Sequence, residues 1–248
     1  MDNLSDVTRL PDGFDGRVRL FPLPGLVMFP HAMQPLHLFE PRYVEMLREA
    51  MSTDQLIAMA TVLENAPPLI KTPEISPIVC IGRIVTHAEL DDDRHNILLV
   101  GTRRARVRRE IDAGRSFRIA DVDVIDDYYE PGESERRTKL KLRLLTAFGK
   151  IIPSSSGAQK NLHDLMAGQM GVGPITDIIA YTLPFDSKEK LRLLGMPNVD
   201  ERAEALIDLM ESGEVQLESV SVSEQQIDLS DQKPQDEPPS FPPPFSLN

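Results

Sequence analysis

The stretch that decides the fold runs from residue 19 to residue 43 and reads RLFPLPGLVMFPHAMQPLHLFEPRY. Its apolar runs are interrupted by five prolines, at Pro22, Pro24, Pro30, Pro35 and Pro41. Because proline cannot donate a hydrogen bond to a sheet, these runs are typical of short edge strands or bulged strands. Pro41 suits the first position of a helix, and apolar residues recur at helical spacing after it. We therefore predict strand pieces followed by a helix at residues 41–52.

The segments that follow alternate between the composition of strands and the composition of turns. Residues 55–63, 78–90 and 97–107 are apolar runs of strand length, and the polar sequence DDDRHN separates the last two. This order predicts a β-hairpin formed by the second and third runs. Residues 65–77 contain four prolines and are predicted to form a loop.

A dense group of arginines follows the hairpin turn. Residues 103–109 include Arg103, Arg104, Arg106, Arg108 and Arg109, and four aspartates come later, at Asp121, Asp123, Asp126 and Asp127. On strands, alternate residues share a face, so we expect cross-strand ion pairs that contribute roughly 0.2–1 kcal/mol each. The alternative is a patch that binds anions or nucleic acid, although no aromatic residues interleave the arginines to stack on bases.

From residue 133 onward the apolar period changes from 2 to 3.6, which indicates helices. Asp186 with Glu189, and Asn198 with Glu201, have the spacing of helix caps, and Gly195 and Gly213 stand where helices should stop. Three apolar faces are predicted, at Leu140, Leu144, Ala147 and Phe148; at Leu162, Leu165, Met166 and Met170; and at Ile175, Ile178, Ile179, Thr182 and Leu183. We predict four or five short helices that end near Ser212.

These patterns divide the chain into four parts. We expect a flexible acidic arm at residues 1–16, a β-rich part at 17–127, a helical part at 128–212 and a tail at 213–248. The tail holds six prolines, seven acidic residues and one lysine. Such a composition buries too little apolar area to offset the entropy of ordering, so we expect disorder there. Its final FPPPF sequence leaves open a role as a polyproline ligand.

Composition and charge narrow the classes of function. The net charge of −12 argues against a general nucleic-acid binder, which relies on attraction to phosphates. No apolar run approaches the roughly 20 residues that span a bilayer. The acidic start does not resemble a secretory signal, so we expect a cytoplasmic protein without a membrane partner. The single cysteine, Cys80, lies in an apolar run and is predicted to be a buried, inert thiol.

We find no arrangement of residues that predicts catalysis, a cofactor or a metal. The sequence Gly149-Lys150-Ile151 lacks the upstream glycine and the hydroxyl of a phosphate-binding loop. Three serines at 154–156 with Lys160 lie in a loop-like sequence without an oxyanion signal. Asp91, Asp92 and Asp93 are interpreted as solvated turn residues. The histidines lack the spacing of metal ligands, and they are His31, His37, His87, His95 and His163.

The opening stretch resembles that of the Lon protease amino-terminal, substrate-binding domain. The residues that carry the resemblance are 20–24, Phe29-Pro30, Pro35-Leu36 and the sequence FEPRY at 39–43. The sequences CIGRIV at 80–85, LLVGTRRARV at 98–107 and residues 174–210 resemble later segments of the same family in the same order. The resemblance covers residues 18–211, and His31 stands where the family often has glycine.

This resemblance implies an α+β fold, namely a six-stranded β pseudo-barrel like that of pseudouridine-synthase-associated (PUA) domains, followed by a C-terminal helical bundle. It implies a non-catalytic module that binds unfolded or partly folded protein segments, as an adaptor or holdase that works with a separate protease. The chain ends before an ATPase or peptidase domain, so we expect a stand-alone form. Methionine suits promiscuous contacts. We predict a binding surface at the seam between the two halves, formed by Met28, Phe29, Met33, Met166 and Met170.

Overall fold

The computed structural model describes residues 8–63, 73–151 and 170–212. The strands are β1 (Arg17–Pro24), β2 (Met33–Leu38), β3 (Leu56–Val62), β4 (Ile78–Glu89), β5 (His95–Ile111) and β6 (Arg118–Ile125). The helices are α1 (Pro41–Met51), α2 (Ser134–Ile151), α3 (Val172–Thr182), α4 (Ser187–Leu194) and α5 (Val199–Glu211). A mixed sheet followed by helices confirms the predicted α+β class. The predicted tail and most of the second helical face lie outside the described residues.

The long strand β5 closes the sheet into a pseudo-barrel. The strand order is β2-β5-β4-β3-β1-β6, and β6 also pairs with β5, so five strands form a ring to which β2 is added. Gly101 lies in β5, between the part that pairs with β2 and the part that pairs with β6. Its N–H donates to Ala32 O at 2.9 Å, and its carbonyl accepts from His31 N–H at 2.9 Å. A Cβ atom on Gly101 would lie 2.0 Å from Phe29 O, so the close approach of this loop requires glycine.

The expectation that the opening stretch forms only edge or bulged strands is wrong for β1. This strand has two neighbours, because residues 17–20 pair with β6 and residues 20–24 pair with β3. Pro22 and Pro24 both lie in the half of β1 that has only β3 beside it. A residue without an N–H group is tolerated there. The strand that carries Pro35, β2, is an edge strand as predicted.

The predicted helix after Pro41 and the predicted hairpin are both present. Helix α1 has proline in its first turn and buries Tyr43, Met46, Leu47 and Ala50 against the sheet. A short 3-10 turn, Asp91–Asp93, joins β4 to β5. Cys80 is buried in β4 as expected, and burial raises the pKa of its thiol.

Two helices of the helical half begin at the predicted capping residues, Asp186 and Asn198. The Asp186 carboxylate accepts from Glu189 N–H at 2.7 Å, and the Asn198 side chain accepts from Glu201 N–H at 3.3 Å. The apolar face predicted for α2 is buried at all four positions, and α4 ends at Gly195. The face predicted for α3 is wrong at Thr182, which is exposed. It is the last residue of the helix, and its hydroxyl donates to Ile178 O.

The two halves share one apolar cluster. Val27, Phe29, Ala32 and Ile78 of the β-rich half pack with the buried faces of α2, α3, α4 and α5. A second cluster fills the space between α1 and the sheet, and the buried residues of a third all come from strands of the ring. Helices of 8 to 18 residues gain little stability alone, so they depend on this packing.

We therefore expect residues 17–212 to resist proteolysis as one unit. Limited proteolysis followed by mass spectrometry should detect cuts within 1–16 and 213–248 before any cut at 128–133. An early cut between Tyr128 and Glu133 that releases two stable halves would contradict this expectation. The boundary between 127 and 128 stays a prediction until that experiment is done.

Candidate functional site

The residues predicted to form a protein-binding surface do not lie together on the surface. Met28 and Phe29 are 1% and 0% exposed, which corrects their predicted place at an exposed seam. Consecutive residues of an extended segment point to opposite sides, and both sides are covered here. Met28 packs beneath α1, and Phe29 packs among the helices. Met33 is 46% exposed, Met170 is partly buried against the helices, and Met166 lies outside the described residues.

The centre of the junction between the halves is ionic. Arg104 of β5 donates to Asp127 at 2.9 Å and also to Asp177 of α3. Arg202 of α5 donates to the Asp127 carboxylate at 3.0 and 3.1 Å and to Met196 O at 2.6 Å. We call Arg104, Asp127, Asp177 and Arg202 the ionic cluster. Burial raises the pKa of Asp177, while the two guanidinium groups beside it oppose that shift.

A cavity of about 270 Å³ opens beside the ionic cluster. His31 lines it with a backbone φ of 64°, in the left-handed region that favours glycine. Burial lowers the pKa of the His31 imidazole, and Arg104 lowers it further, against the opposing effect of Asp127. The other charged lining residues are Arg103 and Asp126, so the arginines and aspartates balance in charge. This cavity is lined mainly by polar and charged residues, whereas the surface predicted at the seam consists of methionines and Phe29.

The arginine-rich segment forms the predicted cross-strand ion pairs. Arg109 lies 2.8 Å from Asp121, and Arg108 lies 3.6 Å from Asp123. A register shift between Val107 and Arg109 places Arg109 opposite Asp121. Arg103 also lies 3.7 Å from an acid, Asp126. Aspartates thus compensate much of the positive charge of this segment.

Arg104 departs from that pattern. Its predicted role was a cross-strand ion pair with an aspartate of the next strand, yet its side chain is 3% exposed and belongs to the ionic cluster. Its partner Asp177 lies 73 residues further along the chain. The alternation of residues within a strand cannot predict an ion pair with a residue so far along the chain.

A mostly uncharged surface lies where β2, β5 and β4 run side by side. Residues directly opposite each other in antiparallel strands point to the same face of a sheet. The observed register places nine residues on one face, of which Val100 is buried and Arg83 is charged. We call the seven uncharged residues that are at least partly exposed the outer face, and they are Met33, Pro35, His37, Thr86, Ala88, Asn96 and Leu98.

The outer face has no formal charge when His37 is neutral, in a chain of which 27% of residues are charged. Phe39 extends it, since its side chain is 63% exposed and its ring lies 5.9 Å from that of His37. Arg83 borders it opposite Val100, and its guanidinium donates to Arg9 O at 2.8 Å. An exposed, weakly polar surface of this kind is typical of protein-binding sites.

The free edge of β2 is poorly suited to accept an added strand. In an antiparallel pair, the main-chain N–H and C=O groups of successive residues point alternately toward the partner strand and away from it. Ala32 O accepts from Gly101 N–H of β5, so the main-chain groups of Met33, Pro35 and His37 point away from β5. Pro35 has no N–H group, and its carbonyl accepts from the Gln34 side chain at 2.8 Å. The Tyr181 hydroxyl donates to Gln34 Oε1 at 2.6 Å and lies 3.4 Å from Met33 O. The side chains of the outer face, rather than this edge, are therefore available to a partner.

The described residues offer little for catalysis. Gly149 and Lys150 lie in the last turn of α2, and the serines at 154–156 fall outside the described part of the chain. In residues 8–63, 73–151 and 170–212, no three His, Cys, Asp or Glu side chains could hold a metal ion together. The helices described there are all too short or too polar to cross a membrane.

Comparison with protein families gives one assignment. The family model of the ATP-dependent protease La (LON) substrate-binding domain matches residues 17–212. Among curated proteins, Lon protease of Haemophilus influenzae is 27% identical over 194 residues, which are 78% of this chain and 24% of that protein. Lon protease 3 of Sorangium cellulosum is 28% identical over 201 residues, or 79% of this chain and 24% of that protein. The chain thus spans about a quarter of these relatives.

Two solved structures share the fold. The Lon N-terminal domain protein of Xanthomonas campestris matches with a TM-score of 0.54 and 22% identity, over 77% of this chain and 96% of that chain. The N-terminal domain of Lon protease from the Mycobacterium avium complex matches with a TM-score of 0.61 and 16% identity, over 79% of this chain and 99% of that chain. At these identities the comparison establishes the fold, in agreement with the predicted pseudo-barrel and helices.

Proposed function

The chain belongs to the family of ATP-dependent protease La (LON) substrate-binding domains, and on that premise we propose that it binds extended, unfolded or partly folded protein segments on the outer face. The observation that carries this proposal is an exposed, uncharged sheet face in a strongly acidic chain. Unfolded segments expose apolar side chains, and these can cover a surface without charged groups at a lower desolvation cost.

Two features make the outer face suitable for many different segments. Met33 and Phe39 supply flexible and aromatic contact area at one border of the sheet. The blunted edge of β2 prevents a client from continuing the sheet by main-chain pairing, so its contacts are made by side chains and are readily exchanged. This combination favours transient binding over permanent association.

In the cell, this module would act as an adaptor or holdase without catalytic activity of its own. We propose that it works in the cytoplasm and passes its clients to a separate protease. Its relatives are named Lon protease, and the matched region is the substrate-binding domain of that family.

The experiment that tests this function compares two kinds of partner for the full chain. A fluorescent, reduced and denatured protein should be captured at micromolar concentration in 150 mM salt, and the native form of the same protein should not. A labelled single-stranded RNA, assayed by filter binding, should show no saturable binding under the same conditions. Salt-sensitive, submicromolar binding of RNA without capture of the denatured protein would contradict the proposal.

The ion pairs of the arginine-rich segment argue against the alternative function, binding to nucleic acid. Arg103, Arg108 and Arg109 each lie within ion-pair distance of an aspartate, and Arg104 is buried. A phosphate would have to compete with these carboxylates. Binding to nucleic acid also depends on the release of counterions by free cations, which this arrangement reduces.

A further inference from the structure

A pair of histidines lies near the end of the β4–β5 hairpin, where His95 is opposite Glu89 and His87 is opposite Ile97. His87 Nε2 lies 2.9 Å from His95 Nδ1, within hydrogen-bond distance, and the ring centroids are 5.1 Å apart. His95 is 3% exposed, and its Nε2 lies 3.4 Å from Asp93 in the 3-10 turn. Asp93 is in turn bound by Arg48 of α1. The pair therefore links the end of the hairpin, through the turn, to the helix packed beside it.

We propose that His87 and His95 form an acid-sensitive clasp, and that its opening at low pH weakens the binding of protein segments to the outer face. This inference rests on the proposed function. The clasp lies at the same end of the sheet as the border of the outer face, because His95 pairs with both Glu89 of β4 and Leu38, the last residue of β2. Phe39, which extends the outer face, follows directly.

The hydrogen bond fixes how many protons the pair can hold. One ring must donate an N–H and the other must offer a lone pair, so the bond survives with no added proton or with one. A His95 ring with both N–H groups can donate from Nε2 toward Asp93, 3.4 Å away, and from Nδ1 to a neutral His87. A second proton would leave two cationic rings with N–H groups facing each other. His87 is consequently the group whose protonation opens the clasp.

The groups around the two histidines decide whether the pKa of His87 is raised or lowered. The charged groups that face it are Glu89 on β4, Asp93 in the turn and Arg48 on α1, while β2 presents the apolar Leu36 and Leu38 on that side of the sheet. Three further charged residues of the turn are mostly solvent-exposed, at Asp91, Asp92 and Arg94. Burial lowers the pKa of His87, and His95 lowers it further, against the opposing effect of Glu89.

The sign of the pH effect follows from linkage. The pKa of His87 is lower in the folded protein than in the unfolded chain, where it is about 6.5. The clasp is therefore fully formed above about pH 6.5. As the pH falls below that value, the unfolded or opened state takes up a proton that the closed state does not, and the clasp is progressively lost.

The test measures the full chain at pH 7.5 and pH 5.5 at constant ionic strength. The affinity for a permanently denatured, carboxymethylated client should be lower at pH 5.5 than at pH 7.5 in the otherwise wild-type protein. His87→Gln, whose amide can hydrogen-bond to His95 without gaining a proton, should keep its affinity at pH 5.5. All proteins in this comparison carry His37→Asn, which removes the titratable group of the outer face itself. His31→Gly is the matched control at another histidine whose pKa is lowered by burial, and it should retain the pH effect.

A second readout is independent of any client. In the free protein, the backbone amide NMR signals of Glu89 and His95 should shift and broaden between pH 7.5 and 5.5, and should stay unchanged in His87→Gln. Wild-type signals that do not respond, or the same response in both proteins, would overturn the clasp. If no client binds at either pH while the amide signals behave as expected, the proposed function fails and the clasp stands as a structural device. If clients bind but with the same pH profile in wild type and His87→Gln, the coupling to the outer face is refuted.

Discussion

Replacing Asp177 with alanine should lower the free energy of unfolding by about 3–5 kcal/mol, because the change leaves two buried guanidinium groups with one acid between them. The side chains of Asp177 and Arg202 are both 0% exposed, and that of Arg104 is 3% exposed. Chemical denaturation monitored by circular dichroism measures this loss. Asp177 joins α3 to β5 and α5, so its removal should weaken the attachment of the helical half to the sheet.

A matched control separates this effect from the loss of any ion pair. Asp123 also lies near an arginine, but the side chains of Asp123 and Arg108 are 61% and 64% exposed. Asp123→Ala should cost less than about 1 kcal/mol, as is typical of surface pairs. A double variant, Asp177→Ala with Arg202→Met, should recover part of the lost stability because it removes one of the uncompensated charges. Equal losses for Asp177→Ala and Asp123→Ala would contradict the account of the ionic cluster.

Placing a charge on the outer face should weaken the capture of denatured clients by about tenfold or more, with little change in melting temperature. Phe39→Lys and Met33→Lys each replace an exposed apolar side chain with a cation that a bound apolar segment would have to desolvate. A tenfold loss corresponds to about 1.4 kcal/mol, within the range for a residue that makes a central contact. Fluorescence anisotropy with a labelled, denatured client measures the affinity.

Leu142→Lys is the matched control for this prediction. Leu142 lies on α2, away from the outer face, and is 60% exposed, close to the 63% of Phe39. Its replacement should leave capture unchanged, since an exposed apolar side chain outside the outer face makes no client contact. If all three variants lose affinity to the same degree, general surface hydrophobicity rather than the outer face binds the client.

Much of the fold could be predicted because its signals are local. The helix after Pro41, the hairpin through DDDRHN and the caps at Asp186 and Asn198 depend on residues within a few positions of each other. The position of β1 was mispredicted for the same reason. Its prolines indicate an open edge, but both lie in the second half of the strand. The first half pairs with β6, about a hundred residues further along the chain.

The candidate site was harder to predict because it depends on which strands pair and in which register. Met28 and Met33 look equivalent in the sequence, but one lies under α1 and the other on the outer face. The pairing of Arg104 with Asp177, and of His87 with His95, likewise joins residues whose types alone give no indication of contact. The hairpin itself was predicted, but the predicted turn included His95, which lies at the start of β5 in the structure.

The most direct test of client binding at the outer face is NMR of methyl-labelled methionine in the full chain. On addition of a denatured client, the Met33 methyl signal should shift or broaden, because this side chain lies on the outer face and is 46% exposed. The signals of Met28 and Met46, which are 1% and 0% exposed, should stay in place. An unchanged Met33 signal under conditions where the client is fully bound would contradict the account, and it would move the binding site away from β2.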